Sequence, residues 1–125
     1  MEENNLSYSI RGAIFTVYNT LGPGLLESVY QAALSYELVK SGLLVEAQVP
    51  FPVVYQNVKL DLGFRLDLLV NSKVVVELKS VENLALVHHK QLLTYLKLTN
   101  KKLGLLVNFN TDDIKSSIIR VVNHL

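Results

Sequence analysis

The stretch VKLDLGFRLDLLV, residues 58–70, restricts the fold more than any other part of the chain. Every even position is apolar (Val58, Leu60, Leu62, Phe64, Leu66, Leu68, Val70), while odd positions carry Lys59, Asp61, Gly63, Arg65 and Asp67. A period of two marks an extended strand with one apolar and one polar face. The next run, VVVELKS, keeps the parity, with Val74, Val76 and Leu78 even and Val75, Glu77 and Lys79 odd. Asn71, Ser72 and Lys73 between the two runs predict a hairpin loop. A two-residue loop would set Asp67 against Val76 and mix the faces. A three-residue loop, or a bulge of equal effect, pairs Val70 with Val74 and hence Asp67 with Glu77. That register puts two carboxylates on neighbouring strands with Cβ atoms roughly 5 Å apart, a repulsive arrangement that calls for a cation.

The flanking segments follow other periods. Leu6, Ile10, Ala13, Ile14, Val17 and Leu21 recur at helical spacing before Gly22-Pro23-Gly24 breaks the pattern, which predicts a helix over 6–21. A second helix is expected from about Leu25 to Ser41, with Leu26, Val29, Tyr30, Ala33 and Leu34 inside and Gly42 as its stop. LVEAQV and PFPVVY read as short β pieces whose prolines suit edges or strand starts. After Ser80 a third helix is expected from about Asn83 to Leu98, and LGLLVNF at 103–109 reads as a buried strand. The tail TDDIKSSIIRVVNHL is open: IIRVV has strand chemistry, whereas Thr111 suits a helix cap.

Composition narrows the class. At 125 residues the chain fits one domain, 1–125, with a single core, and half of its residues are hydrophobic. No apolar run is long enough to span a membrane and the first residues lack a secretion signal, so a soluble protein with no membrane partner is expected. The absence of cysteine excludes disulfides and thiolate metal sites and fits a cytoplasmic location. A net charge of +1 gives no whole-molecule attraction to nucleic acid, so such a partner has to be argued from a local site.

That site is the carboxylate pair. A hard divalent cation such as Mg²⁺ takes oxygen ligands and few protein carboxylates, leaving room for water and phosphate. Asp67 and Glu77 would supply two ligands and the Leu78 carbonyl a third, while Lys79 on the same face could hold a phosphate oxygen or orient a water. Metal-assisted phosphodiester hydrolysis uses those parts.

An Asp followed one hairpin later by Glu-x-Lys resembles the PD-(D/E)xK nuclease superfamily. GLLESVY at 24–30 matches the motif of the GxxExxY protein family, with Gly24, Glu27 and Tyr30 in place. The similarity extends over FRLDLLV, VVVELKSVENL, HHKQLLTYLKL and LGLLVNFN, and Gln91-x-x-x-Tyr95 is similar to a motif of RecB-like members. The resemblance implies an α/β, restriction-endonuclease-like αβββαβ core, a mixed central sheet flanked by helices, and Mg²⁺- or Mn²⁺-dependent nuclease chemistry on nucleic acid, DNA foremost. It carries over Asp67, Glu77 and Lys79 as catalytic, Glu27 as an upstream acidic ligand, and Gln91 and Tyr95 as supporting residues. A catalytically weak or inactive nuclease-fold module that binds nucleic acid or a protein is the alternative, and a homodimer would enlarge the binding surface.

Each signal has a plainer reading. Glu-x-Lys alone describes many solvated strand faces, and Asp113-Ile-Lys115 repeats the spacing with no strand leading into it. Glu27 stands at a helix start, where a carboxylate favours the dipole and can bond back to a free amide. Tyr95, His88 and Tyr30 are candidate substrate contacts, yet His88 and Tyr95 share a helix line with Leu84, Gln91 and Leu98 that also suits an ordinary flank. Tyr18, Tyr30 and Tyr36 also suit packing, and Lys90, Lys97, Lys101 and Lys102 serve either a basic strip or solubility. What separates the nuclease reading from chance is the joint order of the motifs.

Overall fold

A computed structural model describes all residues, 1–125. Two helices, α1 (Glu3–Leu21) and α2 (Glu27–Lys40), precede three strands, β1 (Val45–Tyr55), β2 (Val58–Val70) and β3 (Val74–Lys79). Helix α3 (Leu86–Thr99), β4 (Leu103–Asn108), a 3₁₀ turn at Lys115–Ser117 and β5 (Ile118–Val122) complete the chain. The strands form one sheet in the order β1-β2-β3-β4-β5, with β3 and β4 parallel across the α3 crossover and all other neighbours antiparallel. This is the expected mixed sheet flanked by helices, with β5 added at the far edge. No helix is long and apolar enough to cross a membrane.

The sheet separates two apolar layers. On one face Leu6, Ile10, Ile14 and Val17 of α1 and Tyr30, Leu34 and Leu38 of α2 pack on Val74, Val76, Leu78, Leu103, Leu105 and Val107. On the other, Leu92 and Leu96 of α3 pack on Leu66, Leu69, Val75, Leu106 and Val121. β3 and β4 are buried on both faces, which is why their sequences read as nearly continuous apolar runs.

Three expectations change. The inner face of α2 is Tyr30, Leu34 and Leu38, while Leu26 is 75% exposed and Val29 is exposed as well. Leu26 caps the helix from outside it, and Tyr30 sets the helix rotation by stacking on Phe109 at 4.3 Å between ring centroids. α3 starts at Leu86 rather than near Asn83, and Asn108 ties down the bend ahead of it: its Oδ1 accepts the Val81 amide at 3.1 Å and its Nδ2 donates to the Val81 carbonyl at 2.9 Å. β1 is one strand rather than two pieces. It lies at the sheet edge, where Pro50 and Pro52 cost no ladder hydrogen bond. The open tail resolves into the 3₁₀ turn and strand β5, with Thr111 accepting hydrogen bonds from Asp113 and Ser117 rather than capping a helix.

Tyr30 fixes the loop ahead of α2. It is fully buried, its hydroxyl donates to the Gly22 carbonyl at 2.5 Å, and it accepts the Leu25 amide at 3.1 Å. Its assignment to substrate contact therefore gives way to a structural one. Tyr30→Phe is expected to lower stability by about 1–2 kcal/mol, since the ring stays packed and only the two hydrogen bonds are lost. Urea denaturation at neutral pH measures it.

Candidate active site

The β2–β3 hairpin has the three-residue loop that parity requires. Val70 pairs with Val74, Leu69 with Val75 and Leu68 with Val76, and the Lys73 amide closes the turn on the Val70 carbonyl. The ladder stops one pair before Asp67 and Glu77, and the two strands fork there. Two side chains take the place of the missing backbone bonds. Asp67 Oδ2 accepts the Leu78 amide at 2.9 Å, and Glu77 Oε1 accepts the Asp67 amide at 3.2 Å. Each carboxylate thus bonds the backbone of the opposite strand, which braces the fork open at a fixed width.

The fork also interrupts the alternation of β2. Leu68 and Val70 pack with the α1–α2 layer, but Leu66 joins Leu69 in the α3 layer. The even positions therefore do not share one face along the whole strand. Opposite the irregularity, Gln48 of β1 has a left-handed φ of 52°. Its Nε2 donates to Gln31 Oε1 of α2 at 2.6 Å and, at 3.4 Å, to Asp67 Oδ1. Gln48 and Gln31 are site neighbours that sequence reasoning missed. Nothing in local composition marks this glutamine, which alternates with Glu46 as an ordinary polar strand face would.

Burial and charge make the pair electrostatically tense. Glu77 is 5% exposed, and burial first, then the neighbouring Asp67 charge, push its pKa up to about 8, against partial relief from the Asp67 amide and the Lys79 charge. Its second oxygen, Oε2, accepts no protein hydrogen bond, and since no buried side-chain oxygen lacks a partner, Oε2 reaches solvent. Lys79 sits near enough to act on Glu77 yet forms no salt bridge, the sole ion pair of the molecule being Lys40 with Glu37. Its ammonium is therefore uncommitted.

Tyr95 reaches the site from α3. Burial, then Glu77, then Asp67 raise its pKa above the usual tyrosine value, which places the hydroxyl within the field of both carboxylates. The Tyr95 ring stacks on Phe64 at 4.3 Å, and Phe64 in turn stacks on Phe51 at 5.8 Å. This aromatic row packs against the apolar layer on the α3 side of the sheet. His88 Nδ1 accepts the Ala85 amide at 3.0 Å and so closes the first turn of α3. Gln91 is exposed on the same helix.

Glu27 is exposed at the start of α2 and makes no hydrogen bond. Ser80 donates to the Leu25 carbonyl at 2.7 Å, so the loop before α2 is tied to the chain just beyond Lys79. Even so, no three of the His, Asp and Glu side chains come close enough to form a metal cluster. The structure brings together Asp67, Glu77 and the Leu78 backbone with Lys79 and Tyr95 beside them, and leaves Glu27 outside. A cleft of about 750 Å³ lies elsewhere, between residues 82–86 and 110–117, and contains none of these groups. Its most buried polar side chain, Asn108, is fully engaged.

A family model described as PD-(D/E)XK nuclease superfamily matches residues 4–121. The chain belongs to that superfamily. No curated protein and no solved structure matches it. Membership implies a nuclease that acts on nucleic acid, a superfamily chemistry that generally uses a divalent metal.

The donor set fits such an ion. It consists of oxygen atoms alone, two carboxylates in one place, one of them with a solvent-facing oxygen and a pKa raised first by burial and then by its neighbour's charge, which a bound cation would offset. Mg²⁺ requires no more than one or two protein carboxylates, so the absence of a third does not conflict.

Proposed function

We propose that the chain is a Mg²⁺- or Mn²⁺-dependent phosphodiester hydrolase of nucleic acid, DNA foremost, formed by one nuclease-type domain over residues 1–125 and working in the cytoplasm. The observation that carries this reading is the reciprocal brace of Asp67 and Glu77 across the β2–β3 fork, with Lys79 uncommitted beside it. Asp67 and Glu77 would hold the ion. The Leu78 amide points to Asp67, and in an extended strand the carbonyl of the same residue points to the same side, which supports Leu78 as a third donor. When bound, the ion would lower the pKa of a water and offset charge on the phosphate.

The chain's own groups have separate tasks. Lys79 stabilises charge that develops on the phosphate oxygens. Tyr95, kept protonated by its raised pKa, is a hydrogen-bond donor at the edge of the pair. Gln91 and the free Nε2 of His88 line the α3 flank for backbone contacts. Glu27, at the tied loop, is an acidic group at the mouth of the site, and with Gly24 and Tyr30 it supports placing the chain in the GxxExxY family with RecB-like motifs. Gln48 is a positioning residue that restrains Asp67 from β1. Gln48→Leu is expected to weaken Mn²⁺ binding about tenfold with an unchanged melting curve, as measured by calorimetry.

The direct test incubates the protein with labelled single- and double-stranded DNA and RNA and Mn²⁺, alongside Lys79→Ala. The expected result is cleavage of at least one polymer, reduced roughly 100-fold or more by the substitution. No cleavage of any substrate, or equal cleavage by both proteins, overturns the enzymatic reading and leaves a nucleic-acid or protein-binding module.

A further inference from the structure

Residues paired across a ladder present their side chains to the same face of the sheet. Glu77 pairs with Leu106 and Lys79 with Asn108, and both Leu106 and Asn108 line the cleft between residues 82–86 and 110–117. Val75, two positions before Glu77, packs with Leu106 against α3, so the shared face is the α3 face. The cleft therefore opens one strand over from Glu77 and Lys79, about 4.8 Å across the ladder, on the side from which Tyr95 approaches the carboxylates. Its volume of about 750 Å³ lies within the roughly 300–1,000 Å³ of ordinary ligand pockets.

The lining selects against phosphate. It contains no lysine or arginine, while Glu82 and Asp112 set two exposed carboxylates at the rim. The floor is apolar, with Leu106 of β4 beside its ladder partner Ile119 of β5. Around it stand Asn83, His89 and Asn110, whose side chains have no hydrogen-bond partner within the chain. Asn108, by contrast, commits both ends of its amide to the Val81 and Asn110 backbone and so holds the walls in place. An apolar floor edged by amides, an imidazole and carboxylate acceptors suits an uncharged planar ring with donors and acceptors along its edge. A nucleobase meets that description and a phosphate does not.

We infer that the cleft receives one base of the strand whose phosphate lies at the fork, and that the chain accordingly takes single-stranded nucleic acid. In a duplex each base is stacked and paired, and it reaches a pocket only after its nucleotide is turned out of the stack. An unpaired strand presents the base without that cost. The inference rests on the nuclease reading for the identity of the polymer, so its test uses neither metal nor cleavage.

Of the three histidines only His89 lines the cleft, which makes its imidazole a reporter in NMR at fixed pH. In the presence of a chelator, cytidine, which carries no phosphate, should shift the His89 signal to saturation and leave that of His124 in place. Inorganic phosphate should leave His89 in place. Ala85→Trp, which fills the cleft from its wall, should abolish the cytidine shift. Asn110→Asp, which keeps the side-chain shape and removes a donor, should weaken cytidine binding about tenfold, so the test does not hang on the folding of the tryptophan variant. In fluorescence anisotropy, also with chelator, a labelled single-stranded oligonucleotide should bind about tenfold or more tighter than a hairpin duplex, and either substitution should reduce that preference. A His89 signal that cytidine does not move, or that phosphate moves as far, overturns the inference. So does equal affinity for single strand and duplex, or a preference that survives both substitutions. A protein that passes these measurements but cleaves nothing keeps the base site and loses only the nuclease reading.

Discussion

Asp67→Asn is expected to slow metal-dependent cleavage by roughly 100- to 1,000-fold while the protein stays folded. The substitution keeps the shape of the side chain and an oxygen that can accept the Leu78 amide, so the fork remains braced. What disappears is the negative charge. Two consequences separate this from a structural defect. The variant should be no less stable than the wild-type protein, and more stable at neutral and alkaline pH, because Glu77 should become a stronger acid: the Asp67 charge is the second-largest cause of its raised pKa. Asp67→Ala differs in kind: it strands the Leu78 amide at a buried ladder end, at a cost of about 1–3 kcal/mol. Cleavage rates together with urea midpoints for both variants distinguish the chemical loss from the structural one.

The second large effect concerns stability against pH in the presence of a chelator. In the unfolded chain Glu77 titrates near 4.5, and in the fold near 8. The folded state therefore binds a proton that the unfolded state releases between those values. The stabilising contribution is fully present below pH 4.5 and is lost as pH rises through 8. A shift of this size corresponds to a loss on the order of 5 kcal/mol, a large share of what a domain of this length has. Glu77→Gln, neutral at every pH, should flatten the profile. Added Mg²⁺ should act in the opposite direction and stabilise the wild-type protein most at the alkaline end, where the carboxylate is free to bind. Urea denaturation between pH 5 and 8.5, with and without the ion, reads both.

The parity of residues 58–79 was enough to choose a three-residue loop and to bring Asp67 and Glu77 to one place. It could not foresee that the ladder would end just short of them. That outcome depends on side-chain carboxylates competing for the Leu78 and Asp67 amides, and an alternation pattern carries no trace of it. Nor does an apolar row state what covers it: Leu66 and Leu68 are buried in opposite layers, while Leu60 and Leu62, with the same spacing, are exposed. The α1 stripe was legible because Leu6, Ile10, Ile14 and Val17 repeat over several turns. The α2 stripe was legible at Tyr30, Ala33 and Leu34 and misread at Leu26 and Val29, since Tyr30 and its stack on Phe109 fix the rotation through a contact nearly eighty residues away. Gln48 was invisible for the same reason: its partners, Gln31 and Asp67, come from other elements.

The central claim is that the fork is a cation site, and a calorimetric titration of Mn²⁺ into the chelator-treated protein tests it most directly. Run near pH 7 in two buffers of different ionisation heat, the titration should show one ion bound per chain with release of a proton from Glu77, and no binding to Asp67→Asn. Absence of binding heat in the wild-type protein, or binding that Asp67→Asn leaves unchanged, would contradict the account.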